Sequence, residues 1–169
     1  LHHLYIDLTF LPRDGRNIGL VVLIDHFTKF VWAKKIPSKH AQLVADFLTD
    51  TFLSIGILEG LTPEREYTLR SDNGTEFTAQ IITDTCQKFG FIKKQGPAYS
   101  PWVQGVVERV NQTLKQKLLK ACRQEQTTQW GSLISDTINK YNSQYHKTIN
   151  MKPSEAWIKC YKQPGLAQT

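Results

Sequence analysis

Leu4-Tyr5-Ile6-Asp7-Leu8-Thr9-Phe10 puts Leu4, Ile6, Leu8 and Phe10 on one face and Tyr5, Asp7 and Thr9 on the other, the period-two signature of a β-strand. Asp7 therefore leaves the face that the aliphatic residues give to a core. After the turn cluster Pro12-Arg13-Asp14-Gly15-Arg16-Asn17, the nearly continuous apolar run Gly19–Ile24 predicts a central strand covered on both sides. Asp25-His26-Phe27-Thr28 then leads into a third strand within Lys29–Lys35, centred on Phe30-Val31-Trp32-Ala33, which completes an antiparallel meander.

Outward from this meander, Leu43, Val44, Phe47, Leu48, Thr51 and Phe52 recur at helical intervals, with Ser38 as the expected cap and Gly56 as the stop. Tyr67–Ser71 predicts a fourth strand that ends in the polar loop Asp72-Asn73-Gly74-Thr75-Glu76. A helix from about Thr78 to Phe89 should end at Gly90, and Phe91–Lys94 predicts a fifth strand. The order β-β-β-α-β-α-β is α/β, a five-stranded mixed sheet flanked by helices. Pro97–Gly105 holds two prolines and predicts a mobile, non-helical loop. A long helix from about Val106 to Arg123 would bury Val107, Val110, Leu114, Leu118 and Ala121 and turn Glu108, Asn111, Gln112 and Lys115 to its other face. Further helices are expected over Thr128–Tyr145 and from Pro153 through Tyr161.

The chain's 169 residues suit one domain, expected over 1–162 with a C-terminal tail at 163–169. With 40% hydrophobic and 21% charged residues, a disordered chain and a disulfide-stapled miniature are both excluded. The longest apolar stretch, Leu20–Ile24, is far below the roughly 20 residues that span a bilayer. No signal peptide is visible, and the start at Leu1 without an initiator Met points to a piece of a longer protein. Cys86, Cys122 and Cys160 lack CxxC spacing and sit among apolar residues, as in a reduced intracellular protein with buried thiols. The net charge of +6 is unevenly placed: residues 1–85 carry eight Lys/Arg against eleven Asp/Glu, and residues 86–169 carry thirteen against four. A polyanionic partner would therefore meet mainly the second half.

Asp7 within the first strand, Asp72 at the end of the fourth and Glu108 at the start of the long helix each have an ordinary explanation. They are, in turn, a solvated strand residue, a turn residue before Asn-Gly and a helix-dipole partner. Together they suggest more. If the first and fourth strands are neighbours, Asp7 and Asp72 meet, and the helix can bring Glu108 beside them. Three like charges so gathered would call for hard divalent cations with oxygen ligands, Mg²⁺ or Mn²⁺. A pair of such ions supports in-line phosphoryl displacement.

Tyr5-Ile6-Asp7, Ser71-Asp72-Asn73-Gly74-Thr75-Glu76-Phe77 and Gly105-Val106-Val107-Glu108-Arg109-Val110-Asn111-Gln112-Thr113-Leu114-Lys115 resemble the D,D(35)E core of retroviral and gypsy-like LTR-retrotransposon integrases, with 35 residues between Asp72 and Glu108. Ser100-Pro101-Trp102-Val103-Gln104-Gly105 resembles that family's active-site loop, and Asp25-His26-Phe27-Thr28-Lys29-Phe30 resembles its second-strand signature. The resemblance covers residues 4 to about 160. It implies an RNase-H-like fold, a metal-dependent polynucleotidyl transferase acting in DNA 3′-end processing and strand transfer, and two Mg²⁺ or Mn²⁺ ions. Asp7 would touch both ions, and Asp72 and Glu108 one each.

The resemblance further implies that Gln104, Asn111, Gln112 and Lys115 contact DNA, with Lys115 placed to meet a phosphate and Tyr99 and Trp102 to stack on unpaired bases. Asn73 and Glu76 match the signature and are assigned to loop structure and support of the ligands. Element ends and target DNA are the implied partners, together with a homodimer or higher oligomer. A nuclear location is expected, with a cytoplasmic phase if the chain comes from a retrovirus or retrotransposon rather than a host gene descended from one. The His/Cys zinc domain and the small C-terminal β-barrel that flank this core in integrases are not seen, so full integration by this chain alone is not expected. A ribonuclease H or DD(E) transposase would share fold and metals. A domesticated, non-catalytic DNA-binding or dimerisation module would share the fold alone.

Overall fold

Alternation along the first strand decides which helices cover which side of the sheet. The computed structural model describes residues 3–56, 66–95 and 101–162, the side chains of residues 101–104 and 162 excepted. Strands β1 (His3–Asp14), β2 (Asn17–Asp25) and β3 (Val31–Ile36) form the antiparallel meander. Strands β4 (Thr68–Ser71) and β5 (Ile92–Gln95) add in parallel beyond β1, giving the order β3-β2-β1-β4-β5. The parallel pairings use helical crossovers, as they must. This is the five-stranded mixed sheet with flanking helices that the sequence predicts, the RNase-H-like fold.

On one face, Leu4, Ile6 and Leu8 of β1 and Val21 and Leu23 of β2 pack under α1 (Ala41–Ser54) and α3 (Gln80–Lys88). On the other, Tyr5, Leu20, Val22 and Ile24 pack under α4 (Pro101–Gln124) through Val107, Val110, Leu114 and Leu118. Leu114 and Leu118 are each 1% exposed, and each such side chain contributes about 1.5–3 kcal/mol through removal from water. Asp7, between Tyr5 and Thr9, therefore faces α4. Helix α5 (Ile134–Asn142) is joined to β3 by Asn142, whose amide both accepts from Val31 N–H and donates to Val31 C=O at 2.9 Å. The chain continues through α6 (Pro153–Trp157) into a wider turn over Ile158–Lys162.

Gly56 and Gly90, with φ of 65° and 72°, end α1 and α3 at the expected places. Five expectations are corrected. Phe10 is 43% exposed rather than in the core, because the β1–β2 register shifts between Phe10 and Asp14; its ring instead lies beneath the Lys39 ammonium. Ser38 does not cap α1, whose preceding residue is His40 with no side-chain cap, because Ser38 stands too far upstream to reach the first free N–H groups. The helix expected over 78–89 is two pieces, α2 (Thr75–Thr78) and α3. Gly74 C=O closes the first turn by accepting from Phe77 and Thr78 N–H, and the backbone resets to extended at Ala79.

Of the loop expected over Pro97–Gly105, residues 101–105 are helical, and residues 97–100 lie outside the described residues. Proline is tolerated in a first helical turn, where N–H groups have no intrahelical partner. Gly105 costs about 1 kcal/mol relative to Ala, which burial along the rest of this 24-residue helix outweighs. The helix expected over 128–145 begins only at Ile134. Before it, Trp130–Ser132 form a 3₁₀ turn held to the end of β1 by Trp130 Nε1–H on Pro12 C=O and Gly131 N–H on Asp14 Oδ2, both at 2.6 Å.

Candidate metal and nucleic-acid site

Parallel pairing of β1 with β4 matches Leu4 to Leu69 and Tyr5 to Arg70; the same register continued by two residues sets Asp7 abreast of Asp72, just past the end of β4. Helix α4 crosses this side of the sheet and brings Glu108 and Asn111 over β1. Asn111 is buried, and its amide donates to Asp7 Oδ2 at 2.7 Å; the other Asp7 oxygen accepts from Leu8 N–H at 2.8 Å. Asp72 and Glu108 are exposed. Asp72 Oδ1 accepts from Gly74 N–H at 2.9 Å, which shapes the turn after β4. Beneath that turn, half-buried Lys93 donates to Ser71 Oγ at 2.6 Å, and Ser71 Oγ–H donates to Asp72 C=O at 2.9 Å.

The electrostatics of Asp7 show how these acids sense one another. Burial is the main cause that pushes its carboxyl up to about 6; the charges of Asp72, Glu108 and Glu76 add to it, and the Leu8 N–H opposes it. Glu76 is thus a fourth carboxylate within reach of Asp7. Its one-turn helix folds it back over Gly74, where a Cβ would stand 2.9 Å from Glu76 Cδ and 3.1 Å from Asp72 Oδ1. Sequence reasoning gave Glu76 a supporting part only. The available signal was its position four residues after Asp72, in a turn short enough to double back.

The donor set suits a hard divalent cation: every group is a carboxylate oxygen, and a cation would offset both the burial of the Asp7 charge and the smaller repulsion from its acidic neighbours. Among the described residues, however, no three His, Cys, Asp or Glu side chains stand close enough together to hold an ion. Convergence would rest on rotation of the exposed Asp72 and Glu108 side chains.

Thr9, Glu108, Asn111, Gln112 and Lys115 line one recess of about 250 Å³, so α4 brings the acid and the expected DNA contacts to one place. Within it, Gln112 and Lys115 are exposed, whereas Asn111 turns inward to Asp7 and presents no free surface of note. The side chains of Gln104 and Trp102 lie outside the described residues, as does Tyr99. The helical spacing of 108, 111, 112 and 115 could not separate Asn111 from its outward neighbours. Its adjacency to Val110, on the inward edge of the stripe, was the one hint.

A mixed five-stranded sheet with one acid inside β1 and another just past the end of the neighbouring β4 fits the RNase-H-like class. The particular family follows from comparison: residues 1–101 match the integrase core domain family, and the chain belongs to it. A transposon-derived protein of Caenorhabditis elegans is 31% identical over 141 residues, covering 83% of this chain and 46% of the relative. The Gag-Pro-Pol polyprotein of sheep pulmonary adenomatosis virus is 32% identical over 120 residues, 70% of this chain and 6% of the polyprotein. The Tf2-3 transposon polyprotein of Schizosaccharomyces pombe is 29% identical over 152 residues, 88% and 11% respectively. The chain thus spans less than half the length of each of these relatives. Among solved structures, the catalytic core domain of BIV integrase superposes with a TM-score of 0.73 at 25% identity, covering 96% of this chain and 97% of that one.

Proposed function

We propose that this chain is the catalytic core of a metal-dependent polynucleotidyl transferase that trims DNA 3′ ends and joins them to target DNA. Asp7, Asp72 and Glu108 would hold two Mg²⁺ or Mn²⁺ ions. When bound, such ions activate the attacking oxygen and stabilise the leaving oxygen of an in-line displacement at phosphorus. Asn111 fixes one oxygen of Asp7 and so orients the carboxylate. Gln112 and Lys115, on the same recess as Glu108, would meet phosphates of the bound strand, and Gln104 would lie on the approach to it. Water is the nucleophile in the trimming step; the freed 3′-hydroxyl is the nucleophile in the joining step, and each displaces a 3′-oxygen from phosphorus.

The observation that carries this reading is Asp7, a half-buried carboxyl bonded to Asn111 and raised to about 6 by desolvation, with the charges of three neighbouring acids adding to it. Its test is resolution of a branched strand-transfer product by this chain in Mn²⁺. The wild type should resolve it and Asp72→Asn should not; equal processing by both would sink the catalytic reading. A second reading, a DNA-binding or dimerisation module without turnover, draws on the absence of a closed three-acid cluster among the described residues. It would leave DNA binding intact on removal of divalent metal and weaken it in Lys115→Glu.

Self-association is proposed at the groove of about 470 Å³ where Phe47 and Thr51 of α1 face Ile138 of α5 beside Trp32, with sedimentation of Phe47→Glu as its test. Work at chromosomal DNA calls for a nuclear location, read by imaging of the tagged full-length protein.

A further inference from the structure

A second cavity, of about 500 Å³, opens on the side of α4 next to the acid recess and is closed by the end of α5 and the segment after it. Its volume falls within the roughly 300–1,000 Å³ of ligand sites. Gln112 lines both cavities and forms the wall between them.

The lining contains Lys29, Arg109 and His146 and no Asp or Glu. Lys29 is 9% exposed and sits at φ 59°, a backbone conformation that non-glycine residues seldom adopt without a local reason. Its ammonium donates to His26 C=O at 2.5 Å, which keeps the charge at the cavity and leaves it no carboxylate partner among the cavity's lining residues. His146 Nδ1 is buried with no hydrogen-bond partner among the described residues. Arg109 uses Nε on Gly105 C=O at 2.8 Å, and no described hydrogen bond engages its terminal nitrogens. Burial is the main cause that lowers the Lys29 pKa; the charge of Asp25 opposes it and that of Arg109 adds to it, while burial and the charge of Lys29 lower the His146 pKa and so favour its neutral ring. Tyr145, 61% exposed, forms part of the rim.

We infer that this cavity is a phosphate subsite for a nucleic-acid strand whose neighbouring phosphodiester lies in the acid recess. Lys29 and Arg109 bring positive charge to a lining without carboxylates, Asp25 outside the lining offsets part of the Lys29 charge, and the remainder suits an anion; the amides of Gln112 and Gln116 supply neutral donors, and an exposed tyrosine ring at the rim offers a face for a base to stack on. The shared wall at Gln112 favours a strand over a free anion or a phosphopeptide, because one continuous backbone can occupy both cavities. The inference rests on the polynucleotide reading above and extends it to a place along the strand away from the reacting phosphorus.

The test is fluorescence anisotropy of a labelled oligonucleotide in EDTA, so that binding is read without metal. Gln116→Glu sets a carboxylate into the cavity from an exposed helical position and should weaken binding about tenfold and lower the salt slope by about one phosphate contact. Tyr145→Ala, also at an exposed position, should weaken it about fivefold through the lost stacking face. Parallel titrations use inorganic phosphate and a phosphoserine peptide. Unchanged oligonucleotide affinity in both variants would overturn the inference, as would tight binding of phosphate or peptide that Gln116→Glu abolishes while oligonucleotide affinity stays the same. Branched-substrate resolution in Mn²⁺ is scored separately. Loss of oligonucleotide affinity in the variants with no turnover by wild type removes the catalytic reading and keeps the subsite; turnover with unchanged affinities does the reverse.

Discussion

The two faces of the sheet are built to different rules. Beneath α1 and α3 the packing is mainly aromatic and aliphatic: Phe52 stacks on Phe91 at 4.8 Å and meets Phe89 edge-on at 5.3 Å, and all three rings are at most 2% exposed, while at the end of β2 the fully buried Asp25 accepts from Thr28 through Oδ2 and keeps Oδ1 without a partner among the described residues. Beneath α4 the same strands bury polar groups among the apolar ones. Asp7 and Asn111 are hydrogen-bonded there, whereas Arg70 Nε and Asn111 Oδ1 are buried without a partner among the described residues. Aromatic packing is concentrated on the first face, and the second carries more of the hydrogen-bonded polar groups near the middle of β1; buried and incompletely paired polar groups cost free energy on either face. That division sets the α4 face apart as the one that carries Asp7 and its hydrogen-bond partner Asn111.

The comparison can be broken in several ways. Asp7→Asn should reduce Mn²⁺-dependent resolution of branched DNA by on the order of 10³-fold, the effect of losing several kcal/mol of transition-state stabilisation. A rate within tenfold of wild type would mean that the polar face is not the reactive one. Phe52→Ala, on the first face, should cost about 3–5 kcal/mol in urea unfolding, through the cavity it leaves. A loss below 1 kcal/mol would show that aromatic packing on this face adds little to stability.

Acidity separates the faces further. The Asp7 carboxyl is raised in the folded chain to about 6, so the fold binds its proton more tightly than the unfolded chain does. The Asp7 contribution to the stability of metal-free protein should therefore be fully present below about pH 4, be lost by about 2 kcal/mol as the pH rises from there through 6, and stay absent above it; His26 and His146, whose pKa values burial lowers, act in the opposite sense, so the effect is read as the difference between wild type and Asp7→Asn. Asp7→Asn should remove that contribution, and Mn²⁺ should raise the melting temperature of wild type alone at pH 7.5. Asn111→Ala should cost about 1–2 kcal/mol in stability and slow turnover, because it strips Asp7 of a hydrogen bond. Smallest of all, Lys140→Ala, which removes the exposed pair with Asp136, should leave the urea-unfolding midpoint where wild type has it.

The parts of the molecule legible in sequence were those governed by short-range period. Alternation in Leu4–Phe10 correctly assigned Leu4, Ile6 and Leu8 to one face and Tyr5 and Asp7 to the other, and the apolar stripe of α4 holds from Val107 to Leu118. Residues whose placement depends on a distant partner were not legible. Phe10 follows the alternation yet leaves the core because a register shift follows it. Pro101 and Gly105 carry loop-like local preferences that packing farther along the helix overrides. At the site, the 35-residue spacing singled out three acids, but the inward turn of Asn111 and the reach of Glu76 toward Asp7 depend on how α4 and α2 settle against β1. A helical repeat specifies which side chains are neighbours and leaves open which of them a half-buried carboxylate will capture.

Asn142 has a consequence beyond joining α5 to β3. Strand β3 is an outer strand, and an outer strand offers free backbone groups to any other extended chain. By engaging both backbone groups of Val31, Asn142 acts as one residue of an additional strand that belongs to a helix, and Lys34 and Lys35 add charge farther along the same edge. The meander thereby gains a blunt border where side-by-side stacking of sheets would otherwise begin. A protein rich in β-structure on this side can thus be crowded along a polymer without its sheets fusing.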